Sequence, residues 1–526
     1  MKKIYLFLVI LAIFFSLTLF FFKLNSSPPC LNADEAAFSY NSYSILKTGK
    51  DEFGRFLPIR LISFGDYKLP LLTYLNIPFI FFFGLDPIKI KYINGLLLTF
   101  LIIVTYLLTK NLFLNENVAI TAAFLIGLNW GIVSLARQLH EALLSVLLVN
   151  LIWLLFLKLI KNKGSNCFLF IYLFVFFISL FAYHTNRLFA LFFIFISFIF
   201  FIKKNLSVKV FILSMFIFCL FLISDFIYKP QRVSNLFFVK NIGFSLKINE
   251  LRNEGGLRIF YNKLTVGLKE FIFNYLNYFS PQFLVTEGDT NKRFGTVGLS
   301  PITVTEYCLF LFGLYYLFKN KERWRFLIIG LLLISPIPAA LSWAGNSLTR
   351  SFFILIPIII ISSYGWVNFL KNFKKVLLKR VFFLLVFFSY LYFSFYTWDF
   401  YLNHYPNRLE FKEVWQCGYQ EITSYIKKNY QSFDKFFITK SSGPPYIFLL
   451  FFLKYPPKKF QPQAKLGTVD IYGFQQVEKF DKFYFNLNFK NEKKVTVIAR
   501  PYEISEENTK KIKINNVDVF WIKEIR

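Results

Sequence analysis

The fold is decided by the N-terminal residues, which read MKKIYLFLVILAIFFSLTLFFF (1–22). Two lysines precede about nineteen residues with almost no polar side chain, a run long enough to cross a bilayer as a helix. The run is longer than the core of a secretory signal peptide, and no small-x-small cleavage site follows it, so we expect a retained helix. Similar segments recur along the 526 residues, which are 56% hydrophobic and include 74 Phe. The sequence therefore predicts an α-helical polytopic membrane protein, because a barrel would need alternating polar and apolar residues.

About eleven transmembrane helices are predicted from apolar segments of near-spanning length. They lie near 4–22, 88–109, 117–135, 140–157, 166–183, 188–202, 206–227, 302–318, 324–342, 350–369 and 380–398. The segment LPLLTYLNIPFIFFFG (69–84) is apolar but short and contains two prolines. We interpret it as a re-entrant or interfacial helix beside the bundle.

The basic residues of the short loops predict how these spans are oriented. Lys2 and Lys3 precede the first span, and Lys158, Lys161 and Lys163 follow the fourth. Lys203, Lys204 and Lys209 follow the sixth span, KNKERWR (319–325) follows the eighth, and KNFKKVLLKR (371–380) follows the tenth. With eleven spans all these clusters lie on one side, which the positive-inside rule identifies as the cytoplasm, and the odd number of spans puts the tail on the other side. The N-terminus is then cytoplasmic, and the two large loops, 23–87 and 228–301, are extracytoplasmic together with the tail.

The tail, 399–526, differs in composition from the rest of the chain and predicts a small extracytoplasmic α/β domain. Residues 410–430 are expected to form an amphipathic helix and 444–455 a buried helix. Strand character is found at 433–440, 495–502 and 518–525. The predicted domains are a transmembrane core, 1–398, and a C-terminal domain, 399–526.

The net charge of +30 does not indicate nucleic-acid binding. The lysines fall largely in short loops and in the tail, and no basic stripe with interleaved aromatic residues stands on a polar domain. No disulfide framework is implied, because three of the five cysteines lie in apolar segments and only Cys30 and Cys417 could face an oxidising space. No GxGxxG or GxxxxGK[ST] sequence indicates a soluble nucleotide site.

The informative polar residues collect in the predicted outer loops. Asp34 and Glu35 follow the first span in LNADEAAFSY (31–40), where adjacent charges are costly unless they have a role. The other candidates are Asp66, Tyr67 and Lys68 in the same loop, Arg137, His140 and Glu141 near the fourth span, His184 and Arg187 after the fifth, Asp289 before the eighth, and Arg350 at the head of the tenth. The polar stretch YKPQRVSN (228–235) follows the seventh span.

Such residues fit the transfer of a sugar from a lipid-linked phosphate. Arginines and lysines at a membrane boundary can hold a lipid phosphate or diphosphate. A neighbouring carboxylate can take a proton from an acceptor hydroxyl or amine as it attacks the anomeric carbon, and fixed cations can stabilise the departing phosphate. The expected partners are a polyprenyl-phosphate sugar, the lipid bilayer and an acceptor that the sequence does not identify. Clustered acids are compatible with a divalent cation, but no metal ligands are assigned.

Structural roles are the alternative interpretation of these residues. Arg137 and Glu141 are four residues apart and could form only an ion pair on one helix face. The histidines at 140 and 184 could be interfacial side chains with satisfied hydrogen bonds. Asp51 and Glu52 are expected in a solvated loop or at a helix cap, and the acid pair after the first span could itself be a cap with a first-turn acid.

Two other functions remain open from the residues alone. A flippase for polyprenol-linked saccharides would need polar residues deep within several spans, and the predicted spans contain few. A non-catalytic envelope assembly factor would use the tail to bind a partner, and its Asp34 would be replaceable.

Several stretches, taken in order over residues 1–400, resemble the C-type glycosyltransferases of the protein O-mannosyltransferase and lipid A aminoarabinose transferase group. They are DEAAFSYNSYSILKTGKDEFG (34–54), FGDYKLPLLTYLNIPFIFFFG (64–84), LARQLHEALL (135–144), YHTNR (183–187), EGDTNKRFGTVG (287–298) and PIPAALSWAGNSLTRSFF (336–353). The resemblance implies a membrane glycosyltransferase at the cell membrane that uses an isoprenyl-phosphate sugar.

The resemblance also implies roles for individual residues. Asp34 would be the base or acceptor-orienting acid, with Glu35 beside it. Lys68 would contact the donor phosphate, although here Leu69 intervenes before Pro70, where related sequences often have the lysine directly before proline. Arg137 and Glu141 would match an arginine and an acid at the head of a later helix. Arg350 would match an arginine near a late outer loop.

Overall fold

The computed structural model describes residues 2–162, 165–228, 237–342, 345–469, 475–514 and 516–526. Three parts of the sequence that were discussed above lie outside the described residues: Lys163, Trp343 and most of the polar stretch 228–235. The chain forms two compact units, here called the bundle unit and the sheet unit. The bundle unit comprises Met1–Phe22, Asn94–Arg137 and Glu141–Tyr401, and the sheet unit comprises Lys23–Ile93, Gln138–His140 and Leu402–Arg526. The predicted division into 1–398 and 399–526 is a division by membrane topology and stays a prediction.

The bundle unit consists of helices, most of which are apolar, as the sequence predicts. They are Lys2–Phe21, Tyr92–Phe113, Glu116–Leu128, Trp130–Ala136, Glu141–Lys161, Asn166–Ser179, Asn186–Ile202, Val208–Tyr228, Ile242–Asn253, Lys263–Asn277, Val304–Lys319, Arg325–Ile334, Ile337–Ala340, Leu348–Ser351, Leu355–Lys371 and Val376–Asp399. A π-helical turn, Gln282–Glu287, and short 3₁₀ turns at Phe238–Lys240 and Phe352–Ile354 complete the unit.

Among the described residues, six helices are long and apolar enough to cross a membrane, or seven if one bent pair counts as a single span. They are Lys3–Phe21, Lys89–Phe113, Glu141–Lys161, Val208–Ile227, Leu348–Lys371 and Val376–Asn407, with the pair Glu116–Leu128 and Trp130–Ala136. Shorter apolar helices are Leu71–Phe83, Asn166–Ser179, Asn186–Ile202 and Arg325–Ala340. Helical residues lie at each of the predicted apolar segments, but the count of eleven spans stays a prediction.

Two predicted spans are not continuous helices. The segment predicted at 117–135 bends by 54° at Asn129, whose side chain caps the second half by accepting a hydrogen bond from the Ile132 amide. The segment predicted at 324–342 is interrupted after Ile334 and resumes at Ile337, with Pro336 at the junction. Proline has no amide hydrogen and so removes a helical hydrogen bond, which accounts for the second break.

Two helices in the interior of the bundle unit approach each other through glycine. A Cβ atom added to Gly313 would lie 2.0 Å from the carbonyl oxygen of Ile361, and one added to Gly365 would lie 2.2 Å from that of Leu309. Small residues at such crossings let helix backbones pack closely where lipid gives no hydrophobic driving force. The helices Val304–Lys319 and Leu355–Lys371 therefore form a tightly packed pair.

The sheet unit combines the segment predicted to be the first outer loop with the C-terminal segment. Its helices are Ala33–Thr48, Leu71–Phe83, Leu409–Val414, Tyr419–Asn429, Pro445–Phe452 and Pro457–Gln463. Its strands are β1 (Leu61–Ser63), β2 (Asp66–Lys68), β3 (Lys435–Ile438), β4 (Lys465–Leu466), β5 (Val477–Phe480), β6 (Phe483–Tyr484), β7 (Val495–Ala499), β8 (Thr509–Ile514) and β9 (Val517–Ile525). The helix predicted over 69–84 and the buried helix and three strands predicted in the tail are confirmed.

The C-terminal strands form one seven-stranded sheet in the order β4-β5-β6-β3-β7-β9-β8. The central strand β3 pairs in parallel with both β6 and β7, whereas β9 pairs antiparallel with β7 and β8. Phe437, Val495 and Val497 form part of its core. The single helix predicted over 410–430 is wrong: the chain turns between Val414 and Tyr419, where Gly418 has a φ of +106°. This φ favours glycine and lies outside the right-handed helical region, so the next helix begins only after Gly418.

Candidate functional site

The acid pair after the first span lies at the start of the helix Ala33–Thr48, called here the acidic helix. The sequence Asn-Ala-Asp-Glu forms a capping box: the Asn32 side chain accepts a hydrogen bond from the Glu35 amide at 3.1 Å, and the Glu35 carboxylate accepts one from the Asn32 amide at 3.0 Å. Such reciprocal bonds satisfy amide groups that a helix N-terminus leaves without intrahelical partners. The local sequence thus determines where the helix begins and places Asp34 in its first turn.

Glu35 is almost completely buried, and both of its carboxylate oxygens are engaged. Oε2 also accepts a hydrogen bond from Asn32 Nδ2 at 3.0 Å, and Oε1 accepts one from the Leu139 amide at 2.9 Å. The ammonium group of Lys91, itself buried, lies 3.7 Å from Oε1. Glu35 therefore joins three separate chain segments of the sheet unit, which is a structural role.

Asp34 has a different environment from its neighbour. Its side chain is 41% exposed, and Oδ1 accepts a hydrogen bond from Lys68 Nζ at 2.6 Å. The Lys68 side chain is 9% exposed, and its ammonium group lies 4.8 Å from the ring centre of Phe38 and 4.9 Å from that of Phe64. Aromatic rings attract a cation through their electron-rich faces. The structure thus brings a solvent-accessible carboxylate and a fixed cation together, as the sequence predicts for these two residues.

A short hairpin holds Lys68 in place. Strands β1 and β2 pair antiparallel with Leu61 opposite Lys68, and the two-residue turn consists of Phe64 and Gly65, both with positive φ. Positive φ at both turn positions is typical of the tight turns that fit twisted hairpin strands. The other two candidates in this segment, Asp66 and Tyr67, lie in β2 and are partly exposed, and the Arg55 guanidinium lies 5.7 Å from the Tyr67 ring centre.

The expectation that Asp51 and Glu52 are solvated loop residues is wrong, since both are fully buried. Asp51 accepts hydrogen bonds from the Arg55 side chain at 2.9 and 2.7 Å. Glu52 accepts a hydrogen bond from the Ser63 hydroxyl at 2.7 Å and so braces the hairpin. Burial raises the pKa of Glu52 to about 8, because removal from water penalises the ionised form. The loop chain folds inward here, and local composition does not reveal this.

The C-terminal segment anchors the start of the acidic helix. Cys30 and Cys417 form a disulfide with a Cα–Cα distance of 5.4 Å, across 387 residues of sequence. The side chain of Gln416, which precedes Cys417, accepts a hydrogen bond from the Ala33 amide at 2.9 Å and donates one to the Ser442 carbonyl at 2.9 Å. No disulfide framework was predicted from the sequence. The signal for this pair was that Cys30 and Cys417 are the two cysteines outside the apolar segments.

Arg137 caps the first helix of the bundle unit. It is fully buried, and its Nη1 donates hydrogen bonds to the carbonyls of Leu19, Phe20 and Phe22 at 2.5, 3.0 and 2.8 Å. A cation at a helix C-terminus satisfies carbonyls without intrahelical partners and offsets the negative end of the helix dipole. This guanidinium nitrogen is therefore used structurally, and phosphate binding by Arg137 stays a prediction.

The prediction that Arg137 and Glu141 share one helix face is wrong. The helix that leads to Arg137 ends at Ala136, and the next begins at Glu141. Residues 138–140 between them belong to the sheet unit, where the Leu139 amide binds Glu35. His140 follows directly, at the end of this linking segment. The predicted spans near 117–135 and 140–157 already leave a gap here, and the shared helix face disagreed with that gap.

His184 and Arg187 form a cluster with a residue that the sequence analysis did not select. Arg187 Nη2 lies 2.9 Å from His184 Nδ1 and 2.8 Å from Asp225 Oδ2. Asp225 belongs to the apolar helix Val208–Tyr228, and its side chain is mostly buried. A lone acid in an apolar span is costly unless it has a partner, and that was the signal for Asp225. The cluster ties the helix ends of the bundle unit together.

Asp289 and Arg350 are brought together in the bundle unit. The buried Asp289 carboxylate accepts hydrogen bonds from the Asn291 amide at 2.7 Å and from the Leu348 amide at 2.6 Å. Burial raises the pKa of Asp289 to about 6, and the positive charge of Arg350 opposes that rise. Arg350 also binds the Ser342 hydroxyl. Asp289 thus fixes the start of the short helix that presents Arg350.

No metal centre is evident among the residues that the structure describes. Their His, Cys, Asp and Glu side chains form no group of three or more that could hold a metal ion. The candidates instead form separate constellations: Asp34 with Lys68 and Glu35 with Lys91 in the sheet unit, and His184 with Arg187 and Asp289 with Arg350 in the bundle unit.

Solved membrane glycosyltransferases share this fold. ArnT from Cupriavidus metallidurans in the apo state aligns with 98% of this chain and 97% of its own, at 11% identity and a TM-score of 0.56. The same protein bound to undecaprenyl phosphate aligns over the same shares, at 10% identity and a TM-score of 0.53. The resemblance to C-type glycosyltransferases that the sequence predicts is confirmed as a shared fold of apolar helices with a C-terminal sheet region.

A longer protein of the same fold class matches over part of its length. The archaeal oligosaccharyltransferase AglB from Archaeoglobus fulgidus, solved with an inhibitory peptide and a dolichol-phosphate, aligns with 86% of this chain, at 14% identity and a TM-score of 0.53. The chain spans 63% of the length of that protein. No protein-family model matches the sequence, and no curated protein matches it.

Proposed function

We propose that this protein is an integral-membrane glycosyltransferase that moves a sugar from a polyprenyl-phosphate carrier to an acceptor on the extracytoplasmic face of the cell membrane. The observation that carries the proposal is the exposed Asp34 carboxylate held 2.6 Å from the enclosed Lys68 ammonium group. The shared fold supports it, because the solved relatives are ArnT, bound in one structure to undecaprenyl phosphate, and AglB, bound in one to a dolichol-phosphate.

In the proposed reaction Asp34 acts as the general base. It takes the proton of an acceptor hydroxyl or amine while the acceptor oxygen or nitrogen bonds to the anomeric carbon of the donor. The bond between that carbon and the carrier phosphate oxygen breaks, the anomeric configuration inverts, and the polyprenyl phosphate leaves with the bonding electron pair. Lys68 holds the charge that develops on the leaving phosphate. Arg350 and Arg137 are proposed as further phosphate or sugar contacts.

Glu35 is proposed as the residue that orients Asp34. Its carboxylate is engaged by the Asn32 and Leu139 amides and by Lys91, so it is poorly placed to exchange protons with an acceptor. These contacts are consistent with a role for Glu35 in positioning Asp34. The activity assay identifies the sugar and the acceptor, and repeating it with a chelator tests whether a divalent cation is needed.

The proposed topology has eleven spans, a cytoplasmic N-terminus and an extracytoplasmic tail from residue 399. The Cys30–Cys417 disulfide supports an oxidising location for both segments that it joins, and the basic loops support the opposite side as cytoplasmic. A cysteine at Phe56, which is 70% exposed, should react with an impermeant maleimide added to intact cells. The control, a cysteine at the exposed Lys319, should react only after permeabilisation. The opposite pattern would overturn the orientation.

The test of activity uses the full-length protein reconstituted with radiolabelled undecaprenyl-phosphate sugars and a membrane extract as the acceptor source. We expect release of undecaprenyl phosphate with transfer of label, and loss of both in Asp34→Asn. The matched control is Asp434→Asn, an exposed acid whose carboxylate lies 3.8 Å from Lys494. Movement of intact donor between leaflets without cleavage of the sugar–phosphate bond would support a flippase. Turnover that is equal in Asp34→Asn and the wild type would remove Asp34 from the mechanism.

A further inference from the structure

The second large outer loop contains a helical hairpin, defined here as residues 237–277 and called the loop hairpin. Its helices are Ile242–Asn253 and Lys263–Asn277, with 12 and 15 residues. Both are too short to cross a bilayer. One side of the hairpin is packed around a small core of Phe238, Phe244, Ile248 and Val266. The loop hairpin therefore has an inner apolar face of its own.

The loop hairpin also exposes large apolar side chains on its outer surface. These are Ile242, Leu246, Leu257, Ile259, Phe260, Leu264, Leu268, Ile272, Phe273 and Leu276, each between 46% and 79% exposed. Four of them, at positions 264, 268, 272 and 276, repeat at a spacing of four and so lie along one side of the second helix. Contiguous exposed apolar surface of this kind marks an interaction site with protein or membrane.

The position of the loop hairpin within the bundle unit favours a membrane as the occupant. Tyr275 donates a hydrogen bond from its hydroxyl to the Leu333 carbonyl at 2.8 Å, and the Phe238 amide donates one to the Leu341 carbonyl at 3.1 Å. Leu333 lies within the apolar helical segment Arg325–Ala340, and Leu341 follows its last residue. These hydrogen bonds join the loop hairpin to an apolar helical segment, a placement that suits insertion of its exposed apolar side chains into the membrane interface.

The charges of the loop hairpin fit an anionic surface. Between residues 237 and 277 six lysines and arginines stand against three glutamates. Basic residues beside an inserted apolar face add attraction to anionic lipids. Arg258 in particular stands between Leu257 and Ile259, which are both 67% exposed. An arginine among inserted apolar side chains reaches the depth of lipid phosphates.

A cavity lies at the tip of the loop hairpin, beside this arginine. Its volume is about 460 Å³, and its lining is Asn249, Arg252, Asn253, Gly256, Arg258 and Tyr261. Arg252 donates a hydrogen bond from Nε to the Tyr261 carbonyl at 2.8 Å, which orients its guanidinium group. Paired guanidinium groups with amide donors suit the oxygens of a phosphate diester.

We propose that the loop hairpin inserts its exposed apolar side chains into the bilayer interface and binds the phosphate of an anionic phospholipid between Arg252 and Arg258. The site is separate from Asp34 and Lys68 and does not depend on the glycosyltransferase proposal. Its ligand is a bilayer lipid, and free phosphate is the alternative that the experiment excludes.

The first experiment measures the depth of the loop hairpin in nanodiscs of phosphatidylcholine with 30% phosphatidylglycerol. The full-length protein, with Cys167, Cys219 and Cys308 changed to serine, carries a bimane label on a cysteine introduced at Phe273. We expect quenching by lipids doxyl-labelled near the headgroup. The control label replaces Tyr502, a similarly exposed aromatic residue of the sheet unit (79% against 72%). Equal, weak quenching at both positions would overturn insertion.

The second experiment measures binding of phosphatidylglycerol to the full-length protein by native mass spectrometry. Since each basic group near an anionic surface adds roughly fivefold to binding, Arg252→Gln with Arg258→Gln should weaken it roughly 25-fold. The control with the same charge change is Lys458→Gln with Lys459→Gln, two exposed lysines of the sheet unit, and it should bind as the wild type does. Wild-type affinity in the arginine variant, or displacement of the lipid by 10 mM inorganic phosphate, would overturn the site. Melting temperatures in pure phosphatidylcholine confirm that all variants are folded.

Discussion

Replacement of Asp34 should lower activity with little effect on stability, whereas replacement of Glu35 should mainly lower stability. Asp34→Asn removes the proposed base, and loss of a general base lowers kcat by about 10²- to 10⁴-fold. Its effect on stability should be small, because a carboxylate that is 41% exposed contributes about 1 kcal/mol or less through its ion pair with Lys68. Glu35→Ala removes a helix cap and one partner of the buried Lys91, which costs about 3 kcal/mol or more.

The assay compares sugar transfer and thermal unfolding for the two variants in the same detergent or nanodisc. Asp34→Asn should melt with the wild type and turn over slowly, whereas Glu35→Ala should melt at a lower temperature and lose activity in proportion to its folded fraction. The reasoning is refuted if Glu35→Ala retains the wild-type melting temperature but abolishes transfer while Asp34→Asn stays active. That outcome would assign the base to Glu35.

Further expectations concern residues that the fold buries or joins. In the folded protein the pKa of Glu52 is raised from 4.5 to about 8, so the native state holds a proton that the unfolded chain releases. The stability that this proton confers is fully present below about pH 4.5 and is lost as the pH rises to about 8. Glu52→Gln should therefore melt like the wild type at pH 4.5 and at a higher temperature than the wild type at pH 8. Arg137→Gln should destabilise the first helix by about 2 to 4 kcal/mol through lost charged hydrogen bonds to carbonyls; an unchanged melting temperature with a raised donor KM would instead favour phosphate binding. Changing Cys30 and Cys417 to serine should cost about 2 to 4 kcal/mol and abolish the gel shift on reduction; an unchanged melting curve would contradict an intact bond.

Apolar blocks predict most of the fold because lipid imposes one requirement on every span: about twenty apolar residues in a helix. The breaks inside two blocks were not predicted, since each depends on one polar or cyclic side chain. Asn129 accepts a hydrogen bond from the Ile132 amide and so starts a second helix at an angle of 54°. In the tail, Gly418 with a φ of +106° divides a segment whose apolar periodicity alone indicates one helix. Hydrophobic periodicity reports which side is buried and is insensitive to such single-residue interruptions.

The candidate site was predictable where its contacts are local. The pattern Asn-Ala-Asp-Glu is a capping box, and the tight hairpin follows from the Phe64-Gly65 turn before Lys68. The contacts across hundreds of residues were not predictable, because a single sequence carries no record of which distant segments meet. The disulfide between Cys30 and Cys417, which joins the start of the acidic helix to the tail, is the clearest example.

The capping box explains why two adjacent acids take different roles. The box requires the side chain at the third helical position to turn back to the residue before the helix, so Glu35 is committed by backbone geometry. The second position has no such requirement, and its side chain is free to project outward, where Asp34 meets Lys68. A general base has to reach its substrate and change its protonation state during turnover. A buried carboxylate that supports a helix, a loop amide and a lysine would have to give up those contacts to do so. The structural role of Glu35 therefore favours Asp34 as the proposed base, and the adjacency of the two acids fixes the position of Asp34 in the first turn.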